Sequence, residues 1–509
     1  MANAIWLGKQ GIIRCVRTYT VTAAAGKFSL THNAKVVSFT ATTETATEIA
    51  TALADAAGDS SEGEWTELEV TSDGAVLTVT GPEDGSPFTL TVSAPSGGAL
   101  ATANEVQTLT FNAAATGGNL QLTVTHPNGS SVTTGNAAWN ATDATWLANI
   151  QSALDAATGV ANGIVVSGAT PDTVLIFTHS GTGYAEFTRP FITVAVYPTS
   201  TSSNTIARTT TGSAIAPVSP HDVWDPANYS GGALPTSGDT LIMVSGSADM
   251  RINLDKLNDL TTLLLTRESG AGRMGIPDWR APGYREYRPA RFKAQLTTVN
   301  IYTNEQDQPG AVRLDCTDAG ASTVKIFGTG IGTVGQELVD LKGMASTTTV
   351  QCTRSSVQIS TTVGDTSTVA TFTAESSAFR LGSGVTLTTL DVVNSTGEIA
   401  CSWSAAEMNG GQLTVQGSAT GPLTINAAGV CFWSSSGNLN NPIIGNDSVL
   451  DTSTGSASLT LTGVITRYDR GRLEDAAQRI AVPFDVDHVQ CAAEGINVGR
   501  NRTTTIAAI

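Results

Sequence analysis

Charge is scarce in this chain. Asp, Glu, Lys and Arg together make up 14% of its 509 residues, and aromatic residues only 6%. No apolar run approaches the ~18 residues of a membrane span. The 40% hydrophobic content, with so little charge, excludes wholesale disorder. Cations are the rarer sign: 27 Lys and Arg stand against 44 Asp and Glu, a net charge of -17. A nucleic-acid binder needs cations to displace phosphate counterions, so that class is disfavoured. Cysteine is sparse as well. Cys15, Cys316, Cys352, Cys401, Cys431 and Cys491 lie far apart, without CxxC spacing. His32, His126, His179, His221 and His488 are equally scattered. A structural zinc site is therefore not expected, and the cysteines read as buried free thiols in a reducing compartment. The first residues, MANAIWLGKQG, show neither a basic n-region nor a long apolar h-region, so no secretory signal is expected. What is present is small: 51 glycines, with abundant Thr, Ser and Ala. That is the palette of a strand- and turn-rich protein, long enough for about two to four domains.

Position sharpens the charge reading. No Lys or Arg occurs between Lys35 and Arg189, a stretch that holds sixteen carboxylates. The run Glu62, Glu64, Glu67 and Glu69 lacks calcium-loop spacing. It reads as a solvated acidic face that keeps a crowded assembly soluble. The same stretch repeats itself. Residues 45–58 predict a helix, with Thr45 and Glu48 as a capping box, Ile49, Ala52, Leu53 and Ala56 as its apolar face, and Gly58 at its end. Residues 142–159 predict a second, with Trp146, Leu147, Ile150 and Leu154 facing inward and Gly159 at its end. Ile49 and Ile150, Leu53 and Leu154, and Gly58 and Gly159 share an offset of 101. Two alternating strands precede each helix and three follow. We read two tandem ββαβββ modules, 14–100 and 101–200, each one sheet backed by one helix.

A polar linker is expected over 201–220. Beyond it, Trp224, Tyr229, Ser230, Gly231, Gly232, Pro235, Gly238 and Asp239 form a W…Y-S-G-G…P…G-D pattern. This resembles the opening segment of β-solenoid proteins of phage and bacterial surface genes, and the resemblance implies a cap on the first coil. Short apolar/Thr strands then recur between Gly, Asn, Ser and Asp clusters, among them 260–265, 296–301, 323–327, 348–352 and 387–392. The expected fold is mainly β, with a right-handed parallel β-helix over 221–466. Paired β-sandwiches are the alternative. Residues 2–7, with Trp6, are similar to the strand that lies just upstream of such a cap. In that arrangement the acidic modules are inserted, and residues 4–7, within the N-terminal segment 1–13, pack near Trp224. The competing arrangement is serial.

Chemistry is thin. Acidic residues of 221–466 are dispersed, with no i,i+2 pair beside an aromatic platform, and GxSxG, P-loop and HExxH motifs are absent. No catalytic, cofactor or metal residue is assigned, and an enzyme is not expected. The dense cationic patch is the loop 267–293, with Arg273, Trp279, Arg280, Tyr284, Arg285, Tyr287, Arg288 and Arg291. Arg and aromatic residues dominate interface hot spots. The loop is expected to dock on an acidic surface of a sister subunit or a capsid or tail protein. The tail 467–509, with a short helix near 473–480, is expected to cap the last coil.

Taken together, the chain resembles virion structural proteins of tailed bacteriophages. That resemblance implies a tail fibre, spike or capsid decoration protein, homotrimeric, assembled in the host cytoplasm and carried on the virion for host attachment. The alternatives are a receptor-binding or depolymerase tailspike with a host glycan as partner, and a bacterial surface adhesin. Neither a membrane nor nucleic acid is an expected partner.

Overall fold

The computed structural model describes residues 2–125, 131–180, 192–260, 263–317, 323–328, 334–345, 347–417, 421–455, 459–462, 465–468, 470–475, 480–481, 496–498 and 506–508. The protein is mainly β and divides into two units. A ladder unit comprises Met1–Lys9, Ala227–Pro277 and Arg288–Ile509; a module unit comprises Gln10–Pro226 and Asp278–Tyr287. Among the described residues, no helix is long and apolar enough to cross a membrane.

In the module unit, the helix Ala46–Gly58 carries the expected capping box, Thr45 and Glu48 each bonding the other's backbone. Its buried face is Ile49, Ala50, Leu53, Ala54 and Ala57. Ala56 is half-buried and packs against the same core, whereas Ala52 is misassigned to that face, because a run of alanines leaves the helical phase ambiguous. The second helix, Asp143–Thr158, buries Trp146, Ile150 and Leu154 and ends on Gly159 at φ 69°.

Each module has two sheets, which corrects the single sheet expected. In the first, Val16–Thr22, Val76–Thr80 and Glu69–Asp73 pair in that order, antiparallel. A second sheet sets Gly26–His32 between Lys35–Ala41 and Thr91–Ser93. The strand Gly26–His32 was missed. It closes a hairpin through Asn33 and Ala34, whose φ values of 45° and 64° suit a type I′ turn. The second module repeats the plan. Val106–Phe111, Val174–His179 and Ile164–Ser167 form one sheet, and Asn119–Thr125 is central to the other. The duplication thus extends from the helices to strand order. Each helix closes a core, Phe28, Leu30, Leu77 and Val79 in the first and Leu109, Leu122, Leu175 and Phe177 in the second.

The segment 201–220 is not a free linker. Asn204–Thr210 pairs with Val106–Phe111, and Ala214–Ile215 returns to Val16–Thr22 in the first module. Beside it, the buried Glu105 carboxylate meets Arg208 Nε at 3.0 Å.

The ladder unit is one sheet of many strands, and the pairings between its named strands are parallel. That excludes the β-sandwich alternative, which needs antiparallel sheets. One ladder runs Asn3–Trp6, Thr240–Met243, Leu263–Arg267, Leu296–Tyr302, Thr323–Phe327, Thr348–Thr353 and onward. A second includes Val312–Asp315, Val339–Lys342, Ser356–Ile359 and Ala378–Leu381. The long strands Val385–Ile399 and Ser402–Val415 belong to both.

Register explains the composition. Leu241, Leu265, Val299, Val324, Val350, Phe372, Leu390, Ala406 and Leu423 form one buried row. Thr298, Thr323, Thr349, Thr371 and Thr389 form an outward row beside it. β-Branched threonine suits a half-exposed pleated surface, which accounts for its abundance here. Buried hydroxyls fill the corner between the ladders. Arg354, Ser376 and Asn394 turn the chain at φ near 50°, and each is followed by a buried serine. The Ser355 and Ser377 N–H groups donate to Ser377 Oγ and Ser395 Oγ at 3.3 and 2.9 Å. Each tight backbone turn is thereby satisfied by the serine of the next turn in the ladder. The five described cysteines are buried and free, and burial pushes the Cys316 and Cys352 thiols up to about 12. Cys491 lies outside the described residues.

In the tail, Arg472–Asp475 is a strand paired with Val449–Asp451, not the start of the expected helix. Residues 476–479 lie outside the described residues.

Glu337 is a buried carboxylate in this unit, accepting the Gly335 N–H at 2.7 Å. Burial raises its pKa, so the folded chain holds the proton more tightly than the unfolded chain. Stability is therefore lost as pH rises through the folded-state value. Glu337→Gln is expected to raise the urea midpoint at pH 8, with the gain vanishing toward pH 3. An equal gain at both pH values would contradict this account.

Candidate functional site

Several of the residues that carry the resemblance lie around the N-terminal strand. Strand Asn3–Trp6 pairs in parallel with Thr240–Met243, which leaves its other edge open. Residues 228–230 occupy that edge. Ser230 N–H donates to Ile5 O at 2.9 Å, and the Leu7 and Gly8 N–H groups donate to Asn228 O at 2.9 and 3.1 Å. An open strand edge is a template for further pairing, and this crossing segment blocks it. Trp6 is fully buried; its Nε1–H donates to Ala248 O at 2.8 Å, and its ring meets Tyr229 edge-on at 5.3 Å. Gly232, at φ 64°, turns the chain back with its N–H on Tyr229 O at 3.0 Å. Pro235 is buried. Asp239 accepts from Thr236 N and Oγ1 at 2.9 and 2.7 Å and from Ala2 N at 3.0 Å. Those bonds, first to Thr236, hold its carboxyl below the usual range. Gly231 is exposed and nothing crowds it. Trp224 belongs to the module unit and is 38% exposed.

The cationic loop does not act as one patch. Its centre, Asp278–Tyr287, belongs to the module unit. It is a small hairpin: Glu286 N–H donates to Asp278 O at 2.8 Å and Arg280 N–H to Tyr284 O at 2.9 Å. Alternation sends Arg280 and Tyr284 to one side and Trp279 and Arg285 to the other. Arg280 Nη2 meets Glu67 Oε1 at 2.9 Å, and the Tyr284 hydroxyl donates to Glu67 Oε2. Burial, then the Glu67 carboxylate, drives the Tyr284 phenol well above its ordinary value. The Tyr287 ring lies edge-on to His32 at 5.3 Å, and His32 Nδ1 donates to Thr89 O at 2.9 Å. Gly63 lets Pro282 approach: a Cβ there would lie 2.5 Å from the Pro282 oxygen.

Arg280, Tyr284 and Tyr287 thus dock on the first acidic module of their own chain. The reciprocal signal was the acidic run around Gly63. Arg291 is also internal. It is 8% exposed, with Nη1 2.7 Å from Asp340 Oδ1. Arg313 shares Asp340 at 3.4 Å, and Lys342 lies between Asp315 and Asp365 at 3.5 and 3.3 Å. This is a network of alternating charges across neighbouring strands. Arg288 is half-buried, and Arg273 is exposed with its N–H on Asp249 Oδ1 at 2.7 Å. Trp279 and Arg285 remain exposed.

Register also joins two carboxylates that are sixteen residues apart in sequence: Asp391 and Glu407 are partners on adjacent strands. Burial, then Glu407, raises the Asp391 pKa. Among the described residues, no group of three or more His, Cys, Asp and Glu could hold a metal ion. No protein-family model matches the chain, and no curated protein matches it either.

Proposed function

We propose that this chain is a non-enzymatic structural protein of a tailed-bacteriophage particle, built on a right-handed parallel β-helix and carrying two acidic modules. The observation that carries the reading is the coil-by-coil register of the ladder unit. Core partners recur at shortening steps, from 26 residues between Val324 and Val350 to 16 between Leu390 and Ala406. A stack of this kind makes a stiff rod whose stability comes from each coil's neighbours. The covered edge at residues 228–230 supports it, since a rod needs a blocked end. The acidic modules suit a crowded, soluble surface, and a homotrimer is the expected assembly. The test is peptide mass spectrometry on gradient-purified particles of the phage that encodes the chain. Recovery at a fixed stoichiometry is expected; absence from the particles would overturn the proposal.

A second reading, a glycan-cleaving spike, rests on Asp391 and Glu407. Neighbouring strands lie about 4.8 Å apart, near the ~5–5.5 Å of a retaining carboxylate pair. Loss of host capsule on incubation with the purified protein, abolished by Asp391→Asn, would favour it over the first.

A further inference from the structure

We propose that the hairpin Asp278–Tyr287 is a self-association element whose outward pair, Trp279 and Arg285, docks on an acidic module of a second copy of this chain. The proposal rests on the structural reading above only in assuming an oligomer. One side of the hairpin is already occupied. Arg280 and Tyr284 hold Glu67, Tyr287 lies against His32, and Pro282 abuts Gly63. That side fixes the hairpin's backbone and leaves the opposite side presented. There, Trp279 and Arg285 face each other across an antiparallel bridge. Trp279 is 68% exposed, more than any other large apolar residue but Val363 among the described residues. Arg285 is exposed and makes no ion pair among the described residues.

Tryptophan and arginine are both enriched at interface hot spots. Holding both on a pinned hairpin removes much of the ordering cost of binding. A lone mobile loop would gain little from the same two side chains.

Charge complementarity selects the occupant. The Arg285 guanidinium needs a carboxylate surface, and the chain supplies one. Between Lys35 and Arg189 it has no cation. Asp55, Asp59 and Asp73 of the first module are exposed, whereas Glu48, Glu67 and Glu69 already serve Thr45, the hairpin and Arg14 of their own chain. A second copy brings a complete acidic face without needing a further gene product.

The test uses the full-length protein. Sedimentation equilibrium at low salt should give an oligomer, and Trp279→Ala with Arg285→Glu should weaken association at least tenfold. Because Arg280, Tyr284 and Glu67 are untouched, the far-UV spectrum should not change. Arg285→Lys keeps the charge and supplies an amine for carbodiimide coupling. In mixtures of light and heavy isotope-labelled chains, it should couple to Asp or Glu within residues 44–172 of the other copy. A monomeric wild type, an unaltered oligomer in the double variant, or coupling confined to single chains would each overturn the proposal. An oligomer that persists in the double variant refutes this interface while leaving the virion reading standing.

Discussion

Replacing Arg267 by alanine is expected to destabilise the ladder unit by about 3–5 kcal/mol, the cost of leaving one buried charge without its partner. Arg267 ends the strand Leu263–Arg267 in a core row, between Met243 and Ile301 of the neighbouring strands. It is fully buried, where a hydrocarbon side chain would be expected. Its geometry accounts for its presence. Nη1 and Nη2 grip Asp307 at 3.1 and 2.8 Å. The remaining donors reach Gly272 O at 3.1 Å, Tyr302 O at 2.9 Å and Ala271 O at 2.8 Å. All five guanidinium N–H groups are used. Loss of the guanidinium strands Asp307 and three carbonyls together. Arg267→Lys is expected to fail nearly as badly, because one ammonium cannot reproduce a planar fork. Arg267→Met with Asp307→Ala should recover much of the loss, since no unpaired charge remains. Urea midpoints of the three variants measure this. A change below about 1 kcal/mol in Arg267→Ala would show that the pair is dispensable.

Arg267 also marks where reading the sequence stops. Leu263, Leu265 and Arg267 share strand parity, so its inward direction was legible. It was grouped instead with the basic loop, because its partner Asp307 lies forty residues away and no local signal joins them. The strands themselves were easier. Leu296–Tyr302, Thr323–Phe327 and Thr348–Thr353 show the alternation of apolar and Thr positions that a one-sided core demands. Their parallel register was only inferred from recurrence, because pairing is a long-range choice. The duplicated helices were legible from the shared offset and the capping box, which are local. The two sheets in each module were not, since Gly26–His32 and Lys35–Ala41 choose partners by packing. The contact of Trp6 with Tyr229 was not legible locally, because more than two hundred residues separate them in sequence. The basic hairpin and the acidic run are complementary in sequence. Whether they meet within one chain or between two depends on the path of the backbone.

The second large effect concerns a glycine whose space is already taken. Gly397 is in register with Phe379 on the strand before it and Leu413 on the strand after it. A Cβ built on Gly397 would lie 2.1 Å from the Phe379 Cζ and 2.4 and 2.5 Å from its ring neighbours. The aromatic ring fills the volume that the glycine lacks, and it packs on Phe372 at 5.1 Å between ring centres. Both phenylalanines are fully buried, so the ring has no exit toward solvent. In an ordinary strand, Gly→Ala stabilises by about 0.4–1 kcal/mol by restricting the unfolded chain. Here the sign should reverse. Gly397→Ala is expected to cost about 1–3 kcal/mol through overpacking, read as a lower urea midpoint. Phe379→Leu alone should also destabilise, by opening a cavity beside Gly397. The double variant should be more stable than the sum of the two losses predicts, with a coupling of about 0.5–3 kcal/mol. Additive losses would mean that the ring and the glycine do not share one space, and a stabilising Gly397→Ala would mean that the neighbouring strands can move apart. The same test bears on the rod. If coils can widen individually, register would not propagate along the stack, and the stiffness proposed for it would have no physical basis.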